Sequence, residues 1–529
     1  MTLAILLAAE PTTGAVDPAG PLTLSTGQGV ADRLADQLRA AGARQVHVTT
    51  DLAAVAALAQ EAREPVLVCA TDLVAHTAVL RHVATHPVVG TVALVLGDGS
   101  GGGVPIREER GQVVAVATDT GTAASIPGTF GGVLRVGVAD LPALAAAARA
   151  AAAHTVATQA ADTQVAAAHA AAGAPPVPAV GRPQEDPAAP AGTGAISPVD
   201  RLLAALAGTG TPITAHRVRL LVARRVADPA AVAAAEAAVA AVDSDKAELR
   251  LAVKEKDDFF ATYFVSSWSP WVTRTAARLG LSPTGVTAIS VAFAVVAAAL
   301  FGFGGRGAQV AGAVLLYLGF VLDCVDGQLA RYTRRFSPWG GWLDTMADRA
   351  KEYVVYAGLG VGVEQAGLGN GWALAIAAMV LQTVRHMTDT WYGVLHDEAA
   401  RRPRPATTGA GTGTAGAGGL GERLSRASTR VQADTGSASY WLKRTVVFPI
   451  GERWALIALT VALFGPLVSL VAVLTWGGLA AAYTLTLRSL RARSMRVGVL
   501  AGTDTALHRD DGPIARWLGR RWASRLPPP

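Results

Sequence analysis

The sequence predicts a multi-domain protein in which an α-helical polytopic membrane domain of six transmembrane helices is preceded by a cytosolic α/β domain. Three observations carry this reading. Apolar windows of about 20 residues, the length that spans a bilayer as helix, all fall after Ser282. Before that point, short apolar runs alternate with amphipathic Ala-rich stretches, the pattern of strands and helices packed in layers. At 529 residues, the chain also exceeds one ordinary domain.

Residues 1–150 form the α/β domain. LAILLAA, QVHVTT, PVLVCA and TVALVLG read as parallel strands, with ADRLADQLRAAG and HTAVLRHVATH as the helices between them. The opening MTLAILLAAEPTTG has no basic n-region and too short an apolar run for a cleavable signal peptide, so this domain is expected to stay in the cytosol. The strand ending in LAA, the later PLT, and the aspartate of VCATDLVAH resemble the nucleotidyltransferase family. That family cradles its triphosphate in a glycine-rich loop with a basic residue. Here the corresponding EPTTGAVDPAG contains neither Lys nor Arg. The resemblance therefore implies a degenerate nucleotidyltransferase-like domain that binds nucleotide or acceptor without reacting it, or serves assembly. An active head that makes a CDP-alcohol is the alternative.

Residues 151–200 run from an Ala-rich helix into the Pro/Gly linker AAGAPPVPAVGRPQEDPAAPAGTG. Residues 201–282 read as a helical segment followed by an amphipathic helix. In the latter, Phe259, Phe260, Phe264, Trp268 and Trp271 precede Arg274 and Arg278, which suits a helix lying in the membrane interface. The membrane domain covers 283–495, with spans near 284–303, 308–331, 343–365, 371–395, 445–466 and 467–489. A low-complexity loop over 397–440 and a basic cytosolic tail over 496–529 complete the chain. GGRGAQ, EQAGLGNG and GP, which follow the first, third and fifth spans, hold one arginine between them, whereas YTRR, RRPRP with GERLSRASTR, and RSLRARSMR hold many. The positive-inside rule then puts the basic loops and both termini in the cytoplasm, in a multi-pass protein of the cell (plasma) membrane. Net charge is +6 without aromatic-interleaved basic strands, which fits anionic phospholipid and not nucleic acid. Cys69 and Cys324 are too far apart in sequence for a disulfide framework or a Cys-based metal site.

Between the second and third spans lies DCVDGQLARYTRRFSPWGGWLDTMADR. Its spacing is DxxDGxxAR, eight residues, then GxxxDxxxD, on Asp323, Asp326, Gly327, Ala330, Arg331, Gly340, Asp344 and Asp348. Each aspartate pair is three or four residues apart and so shares a helix face; the turn FSPWG brings the two faces together. Four carboxylates in a partly desolvated cleft repel unless cations hold them. Oxygen ligands without Cys or His point to Mg²⁺ or Mn²⁺. Such a metal commonly serves a phosphate substrate. Gly327 and Ala330 leave room beside the carboxylates, and Arg331 suits a phosphate oxygen.

With every signature position filled, this region resembles the CDP-alcohol phosphotransferase (CDP-alcohol phosphatidyltransferase) family. The resemblance implies transfer of a phosphatidyl group from a CDP-linked donor such as CDP-diacylglycerol to an alcohol or polyol phosphate acceptor, with release of CMP. It implies that Asp323, Asp326 and Asp344 hold metal, and that Asp348 completes the site and acts as general base. It further implies that Gly327, Ala330 and Arg331 contact the CDP portion, that Gly340 allows close approach, and that the membrane units pair as a homodimer. Weaker candidates are Lys351 and Glu352, for binding the acceptor or, as the favoured expectation, for pairing with each other; Arg385, His386 and Asp389 late in the fourth span; and Lys443, Arg444 and Arg453 around the fifth, for a phosphorylated acceptor or membrane anchoring. Other readings of the motif are a non-catalytic sensor of CDP-lipid or metal, an ion transporter, and carboxylates that merely neutralise Arg331, Arg334, Arg335 and Arg349.

Overall fold

The computed structural model describes residues 3–9, 22–97, 103–109, 111–117, 128–155, 196–254, 257–401 and 438–494. It divides into two compact units, Met1–Ala252 and Val253–Pro529. EPTTGAVDPAG, the linker over 156–195, the loop over 402–437 and the tail from 495 lie outside the described residues.

The first unit is α/β. Its elements are β1 (Leu3–Leu7), α1 (Val30–Ala40), β2 (Gln45–Thr49), α2 (Leu52–Glu61), β3 (Val66–Ala70), β4 (Leu73–Ala75), α3 (Thr77–Ala84), β5 (Thr91–Leu96), β6 (Pro105–Glu109), β7 (Gln112–Val116), β8 (Gly128–Val136), α4 (141–155), α5 (Pro198–Gly208), β9 (Ile213–His216), β10 (Ala223–Arg225), α6 (Pro229–Ala240) and α7 (Ser244–Ala252). An eight-stranded sheet runs β2-β1-β3-β8-β5-β9-β7-β6, and β4 pairs with β10. The four strands expected from the sequence are present. However, β8 is inserted antiparallel between β3 and β5, so these two are not neighbours. Alternation along β1 explains the layering: Leu3, Ile5 and Leu7 join the core beneath α2, α4 and α5, whereas Ala4 and Leu6 join that of α1 and α3.

Residues 201–252, expected to be a separate helical segment, belong to this unit. β9 pairs parallel with β5, and β10 antiparallel with β4. Strands of four and three residues are too short for periodicity to separate from helix. At the end of β10, Arg225 is buried between two carboxylates. Its Nε and Nη2 donate to Asp72 at 2.8–3.1 Å, and Nη1 donates to both oxygens of Asp200 at 2.8 Å. Asp72 is the aspartate of VCATDLVAH, and here it is a structural ion-pair partner. Both cysteines are free.

The second unit is helical: α8 (Ser269–Arg278), α9 (Pro283–Phe303), α10 (Arg306–Thr333), α11 (Pro338–Gln365), α12 (Gly371–Arg401), α13 (Ala438–Val446), α14 (Ile450–Phe464) and α15 (Pro466–Ser494). A π-helical turn over Ala261–Val265 precedes α8. The single amphipathic helix expected here is therefore two pieces, with Pro270 in the first turn of the second. Phe264 and Trp271 are exposed. Gln328 of α10 holds the inner side of α8, accepting from Thr273 Oγ1 and donating to Ser269 Oγ, both at 2.9 Å.

Three helices among the described residues are long and apolar enough to cross a membrane: Pro283–Phe303, Arg306–Thr333 and Pro466–Arg488. α9 packs against both α10 and α11, and α14 against α10. Gly358 and Gly362 make the close approach of α11 to α9: a Cβ there would fall 2.3 Å from Ala298 O and 2.4 Å from Phe301 O, the small-xxx-small device of helix pairs.

In the α/β unit, Arg225→Ala leaves two carboxylates without their counter-ion. Removing one partner of a buried ion pair costs about 3–5 kcal/mol. A denaturant unfolding curve is expected to show a loss of that size.

Candidate metal centre

The spacing of DxxDGxxAR builds the α10 side of the site. Asp323, Asp326, Gly327, Ala330 and Arg331 recur at i, i+3, i+4, i+7 and i+8, which is one helix face. Arg334 ends α10 in the left-handed region, with φ 57°. Ser337 then caps α11, its Oγ accepting from Gly340 N at 3.3 Å, and Pro338 occupies the first turn. This short reversal returns Gly340, Asp344 and Asp348, at i, i+4 and i+8, alongside α10.

One carboxylate oxygen from each of Asp323, Asp326 and Asp344 lies within 4.8 Å of the others. Asp326 is buried and its Oδ2 accepts from Thr287 Oγ1 of α9 at 2.6 Å. Asp348 stands beside this group. Lys351, 4% exposed, lies between the two: its Nζ is 3.0 Å from Asp348 Oδ1, contacts Asp323 Oδ1, and is 3.3 Å from Ser290 Oγ. The donor set fits a hard divalent cation, being three carboxylate oxygens with no nitrogen or sulfur among them. Asp323, Asp326 and Asp344 are the residues that would hold Mg²⁺ or Mn²⁺.

Gly327, Ala330, Arg331 and Gly340 are all half-buried beside the carboxylates. The glycines here differ from those that pack helices. A Cβ on Gly327 would meet only the end of the Arg331 side chain, at 3.3 Å, and one on Gly340 meets nothing closer than 3.6 Å. Protein packing does not demand either glycine.

Lys351 and Glu352 do not pair with each other as expected, because successive helix positions do not face one another. Glu352 turns instead into a buried cluster. It accepts from Arg453 Nη2 of α14 at 2.6 Å and lies 3.1 Å from His386 Nε2 of α12, which is 2.8 Å from Arg349 Nη1. Of the other weaker candidates, Arg385 is buried and donates to Val447 O at 2.7 Å, so it ties helices together, while Asp389 pairs with Arg488. Arg444 lies 3.6 Å from Asp258; the side chain of Lys443 is outside the described residues. Burial pushes the Asp258 carboxyl above its ordinary value, opposed by the hydrogen bond from Gly451 N. Thr287 and Ser290 are site residues that sequence reasoning missed, since a lone hydroxyl on an apolar helix carries no signal before the helices are packed.

A helical membrane protein that gathers aspartates from two consecutive helices around a hard-cation site is the class this geometry defines. Residues 281–483 match the family of CDP-alcohol phosphatidyltransferases. Archaetidylinositol phosphate synthase of Pyrococcus horikoshii is 32% identical over 91 residues, which is 17% of this chain and 47% of that protein. Phosphatidylinositol phosphate synthase of Streptomyces avermitilis is 38% identical over 81 residues, 15% of this chain and 32% of the relative. A second archaetidylinositol phosphate synthase, from Aeropyrum pernix, is 44% identical over 50 residues, 10% of this chain and 26% of the relative. The chain thus spans about half or less of the length of the curated relatives it matches.

Two outcomes follow from this geometry. Mn²⁺ titrated into the purified protein, with the free-ion EPR signal as readout, is expected to bind at least about tenfold more weakly after Asp326→Asn. Lys351→Met removes the counter-ion of Asp323 and Asp348 and is expected to cost about 3–5 kcal/mol. Thermal unfolding should show that loss, with part of it restored by Mg²⁺.

Proposed function

We propose that the chain transfers a phosphatidyl group from a CDP-linked lipid, CDP-diacylglycerol, to the hydroxyl of a polyol phosphate, releasing CMP. The single observation that supports this most is the convergence of Asp323, Asp326 and Asp344 next to glycines that protein packing leaves without a purpose. Such glycines leave space for a ligand, and the family supplies the ligand's class. Gly327, Ala330 and Arg331 contact the CDP portion in this reading, and Gly340 lets the donor approach the start of α11.

In the reaction, the acceptor oxygen attacks the lipid-side phosphorus, and the bond to the oxygen shared with CMP breaks. Asp348 takes the hydroxyl proton as the new P–O bond forms. When bound, Mg²⁺ or Mn²⁺ supplies charge neutralisation for the phosphate oxygens. Lys351 keeps Asp348 oriented and lowers the repulsion between it and Asp323.

Inositol phosphate is the favoured acceptor, on two grounds. The relatives' names include it as a product headgroup. Arg349 and Arg453 also lie about one helical turn beyond Asp348, where a phosphate dianion needs cationic partners. All six helices from α9 to α12, α14 and α15 cross the membrane in this reading, with the α/β unit and the site at the cytoplasmic face, and the basic loops support that orientation. The membrane units pair as homodimers.

Incubation of purified protein with CDP-diacylglycerol, Mg²⁺ and a panel of polyols and polyol phosphates is expected to release CMP, most rapidly with inositol phosphate. Silence across the panel would overturn the transferase reading. Metal flux into sealed vesicles without CMP would replace it with transport. Asp348→Asn is expected to lower the rate about 100- to 10,000-fold while Mn²⁺ and donor binding persist, and an unchanged rate removes Asp348 as the base.

A further inference from the structure

The two edges of the eight-stranded sheet are built differently. β6, at one edge, reads PIREE: it carries a proline and three charges, and it also pairs with β8. These are the usual guards against edge-to-edge association. β2, at the other edge, reads QVHVT and has neither a proline nor a charge. Its inner side is fully used by β1 in parallel register, from Leu3 with Gln45 to Leu7 with Thr49. Ala8 N donates to Thr49 O at 2.9 Å, so the backbone groups of Gln45, His47 and Thr49 face β1. By the period of two, those of Val46 and Val48 face outward. Val48 is 62% exposed, and Arg44, Gln45, His47, Thr50 and Asp51 are exposed with it.

We propose that β2 pairs antiparallel with β2 of a second copy of this chain about a two-fold axis at His47, joining two α/β units through one continuous sheet. The sequence is self-complementary in this register. Val46 of each copy lies opposite Val48 of the other, and these are the residues whose N–H and C=O groups point outward, so both pairs close as hydrogen-bonded pairs. The same register sets four valine side chains on one face, a favourable cross-strand arrangement. At both ends of the seam, Arg44 of one copy stands opposite Thr50 and next to Asp51 of the other. The Asp51 carboxylate is held there by accepting from Ala53 N at 2.7 Å as the cap of α2. Symmetry thus produces two opposite-charge contacts. This surface is separate from any pairing of the helical units and does not depend on the transferase reading.

The axis makes the test specific. The His47 pair is a non-hydrogen-bonded one, with Cα atoms about 4.5 Å apart, within the range a disulfide spans. Full-length His47→Cys in detergent or nanodiscs, treated with a mild oxidant, is expected to give mostly cross-linked dimer on a non-reducing gel. Val89→Cys, at a position 79% exposed on the same unit, and the unsubstituted chain are expected to stay below a tenth of that yield. Adding Val48→Lys to His47→Cys places two ammonium groups on the seam and should cut cross-linking at least tenfold. Equal yields at residues 47 and 89, no cross-link at 47, or indifference to Val48→Lys would each overturn the proposal. A dimer held only by the helical units gives one of these results, since it does not bring residue 47 to an axis.

Discussion

Mutual repulsion among carboxylates is the constraint around which the helical unit is organised. Asp323, Asp326 and Asp344 hold oxygens within 4.8 Å of one another at the junction of α10 and α11, and such a group persists only if positive charge and hydrogen bonds offset it. The chain supplies both from neighbouring helices. Lys351, one turn further along α11, sits against Asp323 and Asp348, and Thr287 of α9 donates to Asp326. The close approach of α11 to α9, made by Gly358 and Gly362, holds these donors near the acidic group.

A second charge system lies one step along α11. Glu352 points away from the acidic group to Arg453 and His386, so adjacent residues of one helix serve two different clusters. Lys351 neutralises the acidic group, and Glu352 holds His386 of α12 and Arg453 of α14 in place. The 100° between successive side chains lets one turn of helix serve two separate clusters.

The acidic site was legible because its spacing is local. Asp323, Asp326, Asp344 and Asp348 announce their helix faces by intervals of three and four, whereas the turn read over FSPWG is shorter than expected, since α11 already begins at Pro338. The partners of these residues were not legible. Whether Lys351 meets Glu352 or Asp348, and whether Thr287 meets anything, depends on how α9, α11 and α14 pack, which no interval in the sequence encodes. In the α/β unit, the short apolar runs of β1, β2, β3 and β5 were readable, and β9 and β10 were too short to read. The role of Asp72 was hidden for the same reason, because its partner Arg225 lies more than 150 positions away on one of those short strands.

The late arrival of β9 and β10 has a consequence for biosynthesis. The sheet lacks its β5 neighbour and the Asp72–Arg225–Asp200 tie until the chain has been made past Arg225, so the unit cannot close progressively from its N-terminus. Contacts that span this much sequence are slow to form. At a synthesis rate of about 5–20 residues per second, only seconds separate Arg225 from Pro283, where the first long apolar helix begins. Closure of the α/β unit therefore waits on strands made only shortly before the first long apolar helix among the described residues.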